Sequence, residues 1–161
     1  MQLSELIGSE NAIRAQGPVH ISIAGVTADS RQVAPGFLFA ALPGAKSDGA
    51  SFVADAVAKG AVAILVGDTV EVEVPENVAV LRAENPRRAL ALIAARFYPM
   101  QPSHIVAITG TNGKTSIAEF ARQIFAYAGL KAASLGTIGI VKPDGAVYGS
   151  LTTPDPLTLH K

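Results

Sequence analysis

Two successive α/β domains are what this sequence predicts, and three observations predict them. Short apolar runs alternate with turns and helix-length stretches through the first hundred residues. A proline-containing break, YPMQPS at 98–103, then interrupts the pattern. Beyond it an apolar run leads into a glycine loop and an amphipathic stretch, which is how a nucleotide-binding sheet begins. The expected layout is a first domain over 1–98, a linker over 99–103 and a second domain over 104–161.

Each element has its own signal. Ile21, Ile23 and Val26 suggest a strand, followed by a polar loop at Asp29-Ser30-Arg31 and a turn at Pro35-Gly36. Leu38–Leu42 reads as a buried strand closed by Pro43-Gly44. Ser51 can cap a helix that runs to Lys59 and stops at Gly60. Ala61–Val66 and Val78–Leu81 read as strands. Asn85-Pro86 is a cap with proline in the first turn, and Leu90, Ile93, Ala94 and Phe97 share one face of the helix that follows.

In the second domain His104–Thr109 reads as a strand. Lys114–Ala128 reads as a helix stopped by Gly129, and Ala132–Leu135 as a strand parallel to the first. Ile117, Phe120, Ala121 and Ile124 form a stripe expected to lie against that sheet. Lys142-Pro143-Asp144-Gly145 is a turn signal between Ile138–Val141 and Ala146–Tyr148, a hairpin. Asp155-Pro156 opens another helix that the chain leaves unfinished at Lys161, so a longer protein is expected.

Bulk composition excludes several classes. Lys+Arg and Asp+Glu both number 13, which gives no charge for general nucleic-acid or membrane-surface binding. There is no cysteine, hence neither disulfide nor thiolate metal site. The N-terminus, MQLSELIGSE, lacks the bases and apolar core of a signal peptide. Apolar runs such as Ala61–Val66 are too short for a membrane span. A cytoplasmic protein that enters no membrane is expected.

The chemistry concentrates in ITGTNGKTSIAEF, residues 108–120. The common phosphate loop is G-x-x-x-x-G-K-[ST]. Here Gly113-Lys114-Thr115 is intact, but Ile108 stands where the first glycine belongs and Gly110 arrives late. The phosphate-binding parts are nonetheless all present. Gly110 and Gly113 let the backbone aim its N–H groups inward, and the helix behind offers its positive end. Lys114 can reach the β/γ-phosphates and Thr115 can offer Mg²⁺ a hydroxyl. Of the acids that follow, Glu119, Asp144 and Asp155, none ends a core strand. The second Mg²⁺ acid is therefore expected beyond Lys161.

TGTNGKTS at 109–116 resembles the ATP loop of the Mur ligases, which lack the early glycine in the same way; folylpolyglutamate synthetases have a similar loop. DSRQVAPGFLFAALPGAKSDG at 29–49 resembles the uridine-nucleotide-binding segment of the MurE type. GAVAILV at 60–66, GTIG at 136–139 and LTTPDPLTLH at 151–160 extend the likeness over nearly the whole chain. The resemblance implies an ATP-dependent amide ligase of peptidoglycan synthesis. Such an enzyme adds meso-diaminopimelate or L-lysine to UDP-MurNAc-L-Ala-D-Glu through an acyl phosphate.

Carried over by position, Gly110, Thr111, Asn112, Gly113, Lys114, Thr115 and Ser116 would bind ATP, and Thr115 would ligate Mg²⁺. Ala28 and Ser30 would contact the uridine, Ala45, Lys46 and Ser47 the UDP, and Thr152 and Thr153 the muramoyl-peptide. Some relatives carry histidine at the position of Ala45, so no side-chain role is assigned there. A monomer is expected, inactive as a ligase in this length of chain.

Other readings stay open beside these. Taken alone, Asp29-Ser30-Arg31 is a local turn, Thr152-Thr153-Pro154 an extended loop and Lys46 a solvated lysine. Arg87-Arg88 reads as an exposed helix face, and His20, His104 and His160 carry no metal spacing. A MurF-type or folylpolyglutamate ligase and a non-catalytic nucleotide-binding module are the competing functions.

Overall fold

Short apolar runs can pair in parallel only if each connection carries the chain back to the same end of the sheet. The computed structural model, which describes residues 1–9, 12–44, 48–145, 147–148 and 155–161, places four strands in that arrangement. The chain divides into two units, Met1–Gln101 with His160–Lys161, and Pro102–Leu159.

In the first unit α1 (Leu3–Ile7) and β1 (Arg14–Gln16) precede β2 (Gly25–Thr27) and β3 (Phe37–Ala40). Then come α2 (Val53–Ala58), β4 (Ala63–Gly67), β5 (Ala79–Ala83) and α3 (Pro86–Phe97). The sheet order is β1-β5-β4-β3-β2. β2 to β5 run parallel, and β1 is antiparallel to β5 at the edge.

Both faces of this sheet are covered, which explains why the strands read as continuous apolar runs. Phe39, Ile64 and Val80 are register partners and pack in one cluster with Val53 and Ala56 of α2. The alternate positions Leu65 and Leu81 turn to the other face, where α3 packs on β4 and β5. Leu90, Ile93 and Ala94 of α3 are buried, and Phe97 is half-buried. Asn85 caps α3 as expected, its Oδ1 accepting from Arg88 N at 3.0 Å. Arg96 Nη1 donates to Leu6 O and Ile7 O at 2.9 and 3.0 Å, closing the C-terminal end of α1.

Two expectations change here. The strand expected across Ile21, Ile23 and Val26 contracts to Gly25–Thr27. Its upstream part is taken by the N-terminus: Leu3 N donates to Ile21 O and Ile23 N to Met1 O. Ser51 is not the cap. Asp48 Oδ1 accepts from Ala50 N at 3.1 Å and starts a 3₁₀ turn over Gly49–Phe52, while the Ser51 hydroxyl donates back to Asp48 O at 2.6 Å.

The second unit holds α4 (Lys114–Tyr127), β6 (Ser134–Gly136), β7 (Gly139–Val141), β8 (Val147–Tyr148) and all but the last residue of α5 (Pro156–His160). Gly129 ends α4 with a Schellman closure, Leu130 N reaching Phe125 O at 3.0 Å. The expected hairpin forms between β7 and β8, and Asp155 caps α5 through Leu157 N and Thr158 N.

The parallel β-loop-α-β unit expected here does not form among the described residues. Residues 104–109 make no strand, with Ile105 81% and Val106 62% exposed. β6 pairs antiparallel with β7 instead. A strand exists only through a ladder partner, and no described strand lies beside 104–109. The stripe on α4 is uncovered for the same reason: Ile117, Phe120 and Ile124 are exposed rather than packed on a sheet.

Leu65→Ala should therefore lower the urea stability of the first unit by about 2–5 kcal/mol, the usual cost of truncating a fully buried leucine. Ile124→Ala should change stability by less than about 0.5 kcal/mol. A comparable loss at both sites would show that the α4 stripe is part of a core.

Candidate nucleotide site

Gly113 begins the site. With φ 76° it takes the left-handed conformation that glycine adopts without strain, and it stands as N-cap of α4. Ile117 N donates to Gly113 O at 2.9 Å, so the helix ladder starts there. No side chain caps this end, and no acid sits in its first turn. The amides of the first turn and the helix dipole thus face outward with their positive charge uncompensated. Gly110, at φ 145°, makes the other turn of the loop.

Lys114 curls back over this loop, its Nζ donating to Gly110 O and, at 3.3 Å, to Thr111 O. Thr111, Asn112 and Ser116 lie exposed along the same segment. Thr115 points from the first turn of α4, with its Oγ1 2.9 Å from Thr137 Oγ1. An ammonium, a row of free amides and a hydroxyl form a donor set that fits a polyphosphate and the divalent cation it carries. Gly110 to Ser116 are consecutive and make up this loop and the first turn of α4.

Glu119, one turn further on, is occupied. Arg122 Nε lies 2.9 and 3.1 Å from its two carboxylate oxygens, and Arg122 Nη2 donates as well. Gln123 Nε2 and Ser134 Oγ add bonds at 3.0 and 3.2 Å. Chiefly through the Arg122 hydrogen bonds and then that of Gln123, its pKa is held at about 2. These donors fill its lone pairs, so Glu119 serves to tie α4 to β6.

In the first unit, the loops after β2 and β3 leave the carboxyl ends of neighbouring parallel strands, where ligands of open α/β sheets bind. Ala28 is exposed and Ser30 half-buried in the first of these loops. Asp29 holds the turn: its carboxylate accepts from Arg31 N at 3.0 Å and from Arg31 Nε and Nη2 at 2.9 and 2.7 Å. The Arg31 side-chain hydrogen bond, followed by its backbone N–H, lowers the Asp29 pKa to about 2. Lys59 Nζ donates to Ser30 O at 2.9 Å and to Asp55 Oδ2 at 2.7 Å, which pins the turn to α2.

The loop after β3 is drawn together by the Pro43–Asp48 bridge and by Arg87 Nη2, which donates to Pro43 O at 2.6 Å. Arg87 is thus more than an exposed helix face. Its partner lies 44 residues away, and no local pattern marks such a bond. Ala45, Lys46 and Ser47, and Thr152 and Thr153, lie outside the described residues.

Two family profiles match the chain in succession, one described as Mur ligase family, catalytic domain, over residues 22–98 and one as Mur ligase middle domain over 108–161. The chain belongs to the Mur ligase family. A UDP-N-acetylmuramoyl-L-alanyl-D-glutamate–2,6-diaminopimelate ligase of Agrobacterium fabrum is 57% identical over 140 residues, covering 87% of this chain and 28% of its own length. A solved ligase of the same name superposes with a TM-score of 0.73 at 24% identity, over 99% of this chain and 32% of its own, a likeness of fold. A MurF ligase from Thermotoga maritima in complex with ADP matches with a TM-score of 0.51 at 25% identity, over 63% of this chain and 23% of its own. The chain spans about a third of the length of the Mur ligases it matches. No described helix is long and apolar enough to cross a membrane.

The Asp29 carboxylate should titrate by NMR with a midpoint about 2, below its ordinary 3.8. Because the folded value is depressed, its contribution to stability is present above pH 3.8 and is lost as the pH falls through about 2. Arg31→Ala should raise the midpoint toward the ordinary value; an unchanged midpoint would remove the pairing.

Proposed function

We propose that this chain supplies the UDP-sugar-peptide and ATP loops of a MurE-type ligase, which adds diaminopimelate or lysine to UDP-MurNAc-L-Ala-D-Glu. The observation that carries the reading is the uncapped N-terminus of α4, with Lys114 folded across it, in the segment matched to the Mur ligase middle domain. The diaminopimelate in the relative's name favours that amino acid over lysine.

The chemistry follows from what such a loop can do. In the first step a carboxylate oxygen of the substrate attacks the γ-phosphorus, and ADP leaves. In the second the incoming amine attacks the resulting acyl phosphate, inorganic phosphate leaves and the nitrogen gives up a proton. The loop amides from Gly110 to Ser116 bind the phosphates, and Lys114 spreads the charge that develops on them. Thr115 would hold Mg²⁺, which supplies Lewis-acid polarisation of the phosphate oxygens when bound. Ala28 and Ser30 would meet the uridine at the sheet edge, with Ala45, Lys46 and Ser47 along the diphosphate and Thr152 and Thr153 on the muramoyl-peptide. The protein is read as a cytoplasmic monomer.

Calorimetry tests both loops. The 161-residue chain should bind UDP-MurNAc-L-Ala-D-Glu and, separately, Mg-ATP. Lys114→Ala should weaken ATP about 10- to 100-fold, the range for losing a charged hydrogen-bond donor, and leave the UDP ligand unaffected. ATP binding without any response to the UDP ligand would favour a folylpolyglutamate-type ligase or a plain nucleotide-binding module. Unchanged ATP affinity in Lys114→Ala would overturn the loop assignment.

A further inference from the structure

A hydroxyl that ligates a cation gives it a lone pair and must send its own proton elsewhere. In many phosphate loops a carboxylate at the end of a core strand stands beside the metal site. Here the acid nearest in sequence, Glu119, is already filled by Arg122, Gln123 and Ser134. The atom facing Thr115 Oγ1 is another hydroxyl, Thr137 Oγ1, at 2.9 Å.

Thr137 is held there by construction. β6 and β7 pair through Gly136 and Gly139, which leaves Thr137 and Ile138 as a two-residue hairpin turn. Gly139 takes φ 101°, a conformation that a side-chain-bearing residue rarely adopts. The Gly-Thr-Ile-Gly sequence is therefore the tip of a tight hairpin with a threonine at its apex. Thr115 and Glu119, four apart on α4, share one face of the helix. They meet Thr137 and Ser134 respectively, so the hairpin is pinned to the helix at two points.

We propose that Thr137 is a positioning residue for the cation site: its Oγ1 accepts a hydrogen bond from the Thr115 hydroxyl and turns the Thr115 lone pairs toward Mg²⁺. The inference rests on the reading of 110–116 as the ATP loop. It adds a residue from outside the loop. Thr137 touches neither phosphate nor metal in this scheme. It acts through Thr115, and the first effect of its loss is on the metal-dependent part of nucleotide affinity.

The test is calorimetry of the full chain with ATP in Mg²⁺ and with ATP in EDTA. Thr137→Val keeps the shape and β-branching of the residue but removes the acceptor. The gain in affinity that Mg²⁺ confers should fall about 5- to 10-fold, the value of one hydrogen bond. Affinity in EDTA should stay within about twofold, since amides and Lys114 carry it. Thr137→Ser should restore the Mg²⁺ gain. In a Thr115→Ala background, Thr137→Val should add no further loss, because the two hydroxyls act as a unit. Full Mg²⁺ gain in Thr137→Val would overturn the proposal, as would an equal loss with and without Mg²⁺ or failure of the serine variant to restore it. Lys114→Ala separates the two levels. If Lys114→Ala weakens ATP while Thr137→Val keeps its Mg²⁺ gain, only the role of Thr137 falls. If Lys114→Ala leaves ATP affinity unchanged, the loop reading falls and this proposal with it.

Discussion

Parallel pairing of β2, β3, β4 and β5 is the constraint on which the first unit depends. Parallel strands deliver all their carboxyl ends to one edge, and each return path must lie over a face of the sheet. The return through α2 covers one face and α3 covers the other, so Ile64 and Leu65, adjacent in β4, are both fully buried. The same constraint brings the loops after β2 and β3 side by side. Neither loop is left to its own turn chemistry. Lys59 at the end of α2 holds Ser30, and Arg87 at the start of α3 holds Pro43. The helices that build the core therefore also brace the loops proposed to meet the UDP ligand.

The second unit is organised around an unpaid electrostatic feature. Most helices answer the positive charge at their N-terminus with a capping side chain or an acid in the first turn. α4 has neither. It has instead a left-handed glycine, a lysine curled over the loop and a threonine facing another threonine. An end that satisfies itself so poorly is suited to an anion, and the match to the Mur ligase middle domain falls on this segment. The Glu119–Arg122–Ser134 cluster does the complementary work of fixing β6 to the helix.

Local signals were legible where the physics is local. Asn85-Pro86, Gly129, the Lys142–Gly145 turn and Asp155 each act through bonds within about a turn of chain, and each appears where its residues suggest. Ser51 is not the cap because Asp48 starts a 3₁₀ turn ahead of it, accepting from Ala50 N, and the Ser51 hydroxyl donates back to Asp48 O. The strand over 104–109 was misread because apolarity was taken for pairing. Ile105 and Val106 have strand-like side chains, but no described neighbour supplies a ladder.

By itself the sequence determined the α/β class, the buried runs of the first sheet and the loop from Gly110 to Ser116. Glycine placement, a lysine after the second glycine and apolar periodicity are properties of consecutive residues. Only the tertiary structure decided that Arg87 braces the loop after β3, that Glu119 is committed to Arg122, and that Thr137 stands against Thr115. The Arg87 and Thr137 contacts join residues 44 and 22 apart. The Glu119–Arg122 pair is only three apart, yet its side chain could equally have faced the loop. Separation and side-chain direction are set by how helices and hairpins pack, and no short stretch of sequence encodes that.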